Sequence, residues 1–157
     1  MNSLNFARIA AVALAAAASS VAFAADTQNL TVTATVSGTC KLTAVPAMSF
    51  TLDPSVGGNA ASTSAVQYKC NKGLAPTSFS VGGQSSGATG YSSALTNAGT
   101  DTIPYKITWT DPTGTGTGFG SGSTATTVTL NGAILAADYL NVSAGTYSQT
   151  VAVTIAP

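Results

Sequence analysis

Leu30-Thr31-Val32-Thr33-Ala34-Thr35-Val36 alternates strictly between an apolar side chain and a threonine. Successive side chains of an extended strand point to opposite faces, so this stretch reads as a strand with one apolar and one hydroxyl face. A helix would need apolar residues every three or four positions instead. Thr and Val also favour strands over helices. The same parity continues through Gly38 to Cys40.

The period of two recurs down the chain. Val66, Tyr68 and Cys70 alternate with Gln67 and Lys69, and Tyr105, Ile107 and Trp109 alternate with Lys106, Thr108 and Thr110. Val128 and Leu130 precede Asn131-Gly132, a pair that predicts a tight turn. Tyr147, Val151, Val153 and Ile155 share one face of a final strand, with Ser148, Thr150, Ala152 and Thr154 on the other. Shorter strands are expected near Met48 to Leu52 and Thr77 to Val81, and only Ala133 to Leu140 could hold a helical turn. Gly57-Gly58-Asn59, Gly82-Gly83 to Gly90 and Asp111-Pro112 through Gly122 supply connections. The last contains TGTGTGFGSG (Thr113 to Gly122), expected to be a flexible exposed loop. Strands separated by turn clusters predict one all-β domain, a two-sheet antiparallel sandwich.

The N-terminus predicts export. Arg8 is the only charged side chain before Asp26, Ile9 to Ala18 is apolar throughout, and Ala22-Phe23-Ala24 has the small-x-small form of a signal-peptidase site. The run is shorter than the roughly 20 apolar residues that span a bilayer. Residues 1–24 therefore read as a signal peptide, and Ala25 to Pro157 as the mature chain.

Charge is scarce. The whole chain is 6% charged, with five Lys or Arg, five Asp, no Glu and no His, against about 25% in a typical domain. Such a surface has no basic field for nucleic acid and no acidic field for cations. Cys40 and Cys70 are the only cysteines, and in an oxidising compartment one intramolecular bridge is the default. Their spacing is not C-x-x-C, and no histidine exists to complete a zinc site.

The search for chemistry finds none. Gly83-Gln84-Ser85-Ser86-Gly87 matches G-x-S-x-G, but that elbow needs a strand-to-helix turn and a histidine base. The glycines from Gly114 to Gly120 do not fit G-x-G-x-x-G. Asp53, Asp101, Asp111 and Asp138 sit in turn-like contexts rather than as an acid pair. Asn29-Leu30-Thr31 and Asn141-Val142-Ser143 are sequons by pattern only. No catalytic residue, metal ligand or cofactor is expected.

A strand-length alternating segment ahead of the first cysteine remains to be explained. Several features follow it in order: Gly38-Thr39-Cys40, Met48-Ser49-Phe50, Val66-Gln67-Tyr68-Lys69-Cys70, and Ile103 to Asp111 (IPYKITWTD). Gly118-Phe119-Gly120 and the ending Gly145 to Ile155 (GTYSQTVAVTI) complete the series. With these the mature chain resembles the spore coat protein U-like family, which includes the pilins of archaic chaperone–usher pili. Thr51, Phe119 and Gln149 depart from the residues common there, which are Gly, Trp and Asp. None of the three touches the cysteines or the alternation.

The resemblance implies an immunoglobulin-like antiparallel sandwich lacking its last strand, which leaves an open apolar groove. It implies transient filling by a periplasmic chaperone and, at an outer-membrane usher, replacement by the N-terminal segment of the next identical or related subunit. This is donor-strand complementation, a form of β-strand addition. Residues 25–37 would then be the donor segment, with Leu30, Val32, Ala34 and Val36 as its pocket-filling face, and 38–157 the domain. Tyr147, Val151, Val153 and Ile155 would line the acceptor groove. Three alternatives carry different expectations. One is a secreted coat or matrix protein of the same fold, and another is an ordinary self-complete sandwich whose first and last strands pair internally. The third is a monomeric carbohydrate-binding sandwich using Trp109, Tyr91 or Tyr105 as stacking platforms, although Tyr105 and Trp109 run in phase with Ile107 as core residues do.

Overall fold

The computed structural model describes residues 25–157; the signal-peptide reading of residues 1–24 lies outside them. The chain divides into two units, residues 1–35 and 36–157. Residues 25–35 have no regular secondary structure, and Leu30 and Val32 are exposed. The second unit begins with residues 36–39, which belong to no strand and of which Val36 is also exposed while Thr39 is bonded to Asn71, and continues into seven strands.

The strands are β1 (Cys40–Ala44), β2 (Ala60–Cys70), β3 (Ser78–Val81), β4 (Tyr91–Thr96), β5 (Thr102–Thr108), β6 (Thr126–Ile134) and β7 (Val153–Ala156), with a single 3₁₀ turn at Ala136–Asp138. They form a five-stranded sheet, β1-β2-β6-β5-β4, and a two-stranded sheet, β3-β7. Every pairing is antiparallel. The all-β reading and the antiparallel sandwich therefore hold.

Alternation sets the core. Val66, Tyr68 and Cys70 on β2, Ile103, Tyr105 and Ile107 on β5, and Val128, Leu130 and Ile134 on β6 are buried, and they pack against Phe79 and Val81 of the smaller sheet. Trp109, just past β5, is 4% exposed and meets Phe79 edge-on, with ring centroids 6.0 Å apart. Burying each such side chain contributes on the order of 1.5–3 kcal/mol before entropy. Cys40 lies directly opposite Cys70 in the β1–β2 ladder, and the two are joined as a disulfide.

Three local expectations are corrected. Asn131-Gly132 is not a turn: β6 runs straight through it, with Asn131 paired to Thr63 and Thr108, and Gly132 to Ser62 and Ile107. Gly132 serves close approach instead, because a Cβ there would overlap Met48 Sδ and Phe50 Cζ. Met48 to Leu52 joins no ladder, although Met48, Phe50 and Leu52 still pack on the core. The Thr-Gly stretch is strapped down rather than loose. Gly73 N–H donates to the Gly116 carbonyl (2.9 Å), Gly116 N–H to the Leu74 carbonyl (2.8 Å) and Gly118 N–H to the Cys70 carbonyl (3.0 Å). Lys69 Nζ donates to Ser123 O and Oγ, both at 3.0 Å.

Candidate functional site

One wall of the site is the extended segment from Val45 to Leu52, between β1 and β2. It is pinned to β2 by Ser64, a buried hydroxyl that donates to the Pro46 carbonyl at 2.6 Å. The opposite wall is the segment from Gly145 to Val153 leading into β7. Between them lies a groove of about 690 Å³ floored by core residues: Val81, Leu95, Ile103, Tyr105, Ile107 and Leu130. No charged side chain lines it.

The 145–153 wall is held on its inner side. Ser148 and Thr96 exchange backbone hydrogen bonds (2.9 and 3.2 Å), and Gly82 N–H donates to the Ala152 carbonyl (2.8 Å). Val153 then enters the β7–β3 ladder opposite Val81. At the wall's start, Ser143 N–H donates to Asp101 Oδ2 (2.7 Å), and the Tyr147 hydroxyl donates to the Ser143 carbonyl (2.8 Å). Hydrogen bonds from Ser143 hold the Asp101 carboxyl below its ordinary value of 3.8. The outer side of this wall is different. Among the described residues, no backbone group of Tyr147, Gln149 or Val151 has a backbone partner. Successive residues of a strand aim these groups to alternate sides, so these three present theirs toward the groove. This is an unpaired sheet edge beside an apolar floor.

Of the sequence-derived groove residues, Tyr147, Val151 and Val153 line the groove. Ile155 does not reach it; it sits opposite Phe79 in the β3–β7 ladder and packs on the core. Leu30, Val32 and Val36 are exposed at 86%, 81% and 82%, and Ala34 is exposed as well. Of the three stacking platforms, Trp109 and Tyr105 are buried in the core, and Tyr91 is half-buried with its ring edge-on to Tyr105, centroids 6.2 Å apart. A second, polar cleft of about 390 Å³ is lined by Thr110 to Gly114 and Thr126 to Thr129, without an aromatic side chain.

Sequence reasoning missed two groove residues. Ser64 carries no signal of its own beyond its parity with Val66 and Tyr68, which places it on the inward face. Gln149, contrary to the expectation that it leaves the alternation untouched, interrupts the apolar face between Tyr147 and Val151, and its Oε1 accepts a 2.7 Å hydrogen bond from the Tyr105 hydroxyl. Burial, with Tyr91 adding to it, pushes the Tyr105 phenol up to about 12, so it remains a donor at any physiological pH.

Among the described residues no group of three or more His, Cys, Asp or Glu is gathered as a metal site. None of their helices is long and apolar enough to cross a membrane. No curated protein and no solved structure matches the chain closely. The family model of the Spore Coat Protein U domain does match it, over residues 26–154. That span takes in the alternating N-terminal segment, the disulfide and both walls of the groove, and the chain belongs to the Spore Coat Protein U domain family.

Proposed function

We propose that the protein is a structural subunit of a bacterial surface fibre, assembled by donor-strand complementation and contributing to adhesion or biofilm. The observation that carries this reading is the uncharged groove, with core residues for a floor and an unpaired strand edge for a wall. Such a surface exposes both apolar area and backbone hydrogen-bonding groups, and an added strand satisfies both at once. The segment from Thr27 to Ser37 supplies a strand of matching character: it carries no charge, and Leu30, Val32, Ala34 and Val36 fall on one face. The occupant is the segment of a second copy of this chain or of a related subunit. A periplasmic chaperone holds the groove before an outer-membrane usher exchanges it, and the fibre is displayed at the cell surface. A secreted coat or matrix protein would use the same fold, and the groove favours the fibre because a finished coat monomer has no need of an open edge.

The test is removal of Thr27 to Ser37. The truncated subunit is expected to be captured by its chaperone and to accept a donor strand while failing to extend a fibre, as read by electron microscopy and by ladders of subunits in mild detergent. Normal polymerisation of the truncated subunit would sink the donor assignment.

A further inference from the structure

Gln149 is the one polar side chain on the inward face of the 145–153 wall between Tyr147 and Val153, and it is bonded to the groove floor through Tyr105. On the donor side, Ala34 is the smallest of the four apolar residues. We propose that the Tyr105–Gln149 pair sets the register of the incoming strand by accepting Ala34 opposite Gln149. The inference rests on the donor-strand reading above and specifies which residue meets which.

Parity restricts the choices. Residues directly opposite each other in an antiparallel pair put their side chains on the same face. The inward residues of the wall are Tyr147, Gln149, Val151 and Val153, and those of the donor are Leu30, Val32, Ala34 and Val36. With Ala34 opposite Gln149, Val36 faces Tyr147, Val32 faces Val151 and Leu30 faces Val153, so all four apolar residues fall within the wall. A slip of two residues one way brings Gln28 over Val153, placing an amide above the apolar floor. A slip the other way brings Gly38 to Tyr147 and moves Leu30 to Ile155, which lies outside the groove. The antiparallel sense matches every other pairing in this fold.

Size selects among these registers. Once a strand covers the groove, the Tyr105 hydroxyl and the Gln149 carbonyl lose access to water and must keep each other as partners. A methyl group leaves the glutamine side chain in place over the phenol. A leucine or valine there would push it aside and leave two buried polar groups unpaired.

The experiment uses fluorescent peptides spanning Thr27 to Ser37 and the exported chain, refolded at low concentration in excess peptide, with binding read by anisotropy. The Ala34→Leu peptide is expected to bind at least tenfold more weakly than the wild-type peptide, and the Val32→Leu peptide within threefold of it. On a Gln149→Ala chain, the Ala34→Leu penalty should shrink to within threefold. If the wild-type peptide does not bind, the donor-strand reading fails and the register fails with it. If it binds but Leu is tolerated at Ala34, or costs more at Val32, the register is overturned while the donor reading stands. A Gln149→Ala chain that cannot fold leaves the decision with the peptide series on the wild-type chain, where the ratio of the two leucine peptides gives it.

Discussion

Two stretches of this chain look opposite in sequence and turn out opposite to their looks. Thr113 to Gly122 reads as a slack connection, yet its backbone is bonded to Cys70 and Leu74 and receives a bond from Gly73, beside the disulfide. Tyr147 to Ile155 reads as one regular strand, yet only Val153–Ala156 belongs to a ladder, and the residues before it have an outer edge without a partner. Alternation encodes which face a residue presents. It does not encode whether a neighbouring strand is there to pair with. Glycine, conversely, signals close approach of backbone as readily as it signals freedom.

The sharpest way to break this comparison is to give the unpaired wall a strand in cis. Asn29 to Ser37, copied after Pro157 through a short Gly/Ser linker with the native copy deleted, would run back antiparallel along Val153 to Tyr147. The linker makes the strand intramolecular, at an effective concentration in the millimolar range. A net gain of only about 3 kcal/mol would raise Tm by roughly 10 °C at this chain length. We expect a soluble monomer with at least that gain over the truncated parent, measured by calorimetry and by sedimentation. A control copy with Val32→Ser and Val36→Ser should lose most of it. A truncated parent that is already a stable monomer, unchanged by the graft, would mean that the wall needs no strand.

How much of this was legible in the sequence follows from the same distinction. The buried faces of β2, β5 and β6 could be read directly, because Val66 and Tyr68, Ile103 to Ile107, and Val128 and Leu130 bury the residues that alternation selects. The disulfide could be read from two cysteines in an export context. Asn131-Gly132 misled because a strong local turn signal was overridden by a long ladder on both sides, where the missing Cβ admits Met48 and Phe50. The groove itself was expected only through family resemblance. Its Ser64 pin and its Tyr105–Gln149 bond join residues far apart in the chain, and no local pattern announces such contacts.

A smaller effect separates two glycines that meet neighbours of different stiffness. A Cβ on Gly116 would run into the Cys70 and Asn71 carbonyls, which the disulfide and the β1–β2 ladder hold in place. A Cβ on Gly132 would meet the ends of the Met48 and Phe50 side chains, which can turn away. Gly→Ala normally stabilises by about 0.4–1 kcal/mol where the backbone tolerates it. Gly116→Ala should instead destabilise by about 2–3 kcal/mol, the upper part of the overpacking range, and Gly132→Ala by about 1 kcal/mol or less. Urea titration of both variants checks the order, and equal losses would show that the strapped loop gives way as easily as the groove wall.

The smallest expected effect lies where the groove wall begins. Asp101 Oδ2 accepts the Ser143 N–H, and Ser143 in turn receives the Tyr147 hydroxyl at its carbonyl, so one carboxylate anchors the start of the wall. These hydrogen bonds favour the charged form and lower the folded-state pKa below 3.8, chiefly through Ser143. The sign follows from linkage: a carboxyl with a depressed folded pKa contributes stability above its unfolded value and loses it as pH falls through the folded one. Asp101→Asn keeps the shape and one acceptor oxygen but removes the charge. At neutral pH the wild type should therefore melt slightly above Asp101→Asn, by no more than an exposed charge usually contributes, and added salt should narrow the gap. As the pH falls through the depressed folded value, below 3.8, the gap should close, since wild-type Asp101 then becomes neutral as well. Thermal melts across that pH range decide it: a gap that stays constant into strong acid would mean that Asp101 anchors the wall by shape alone.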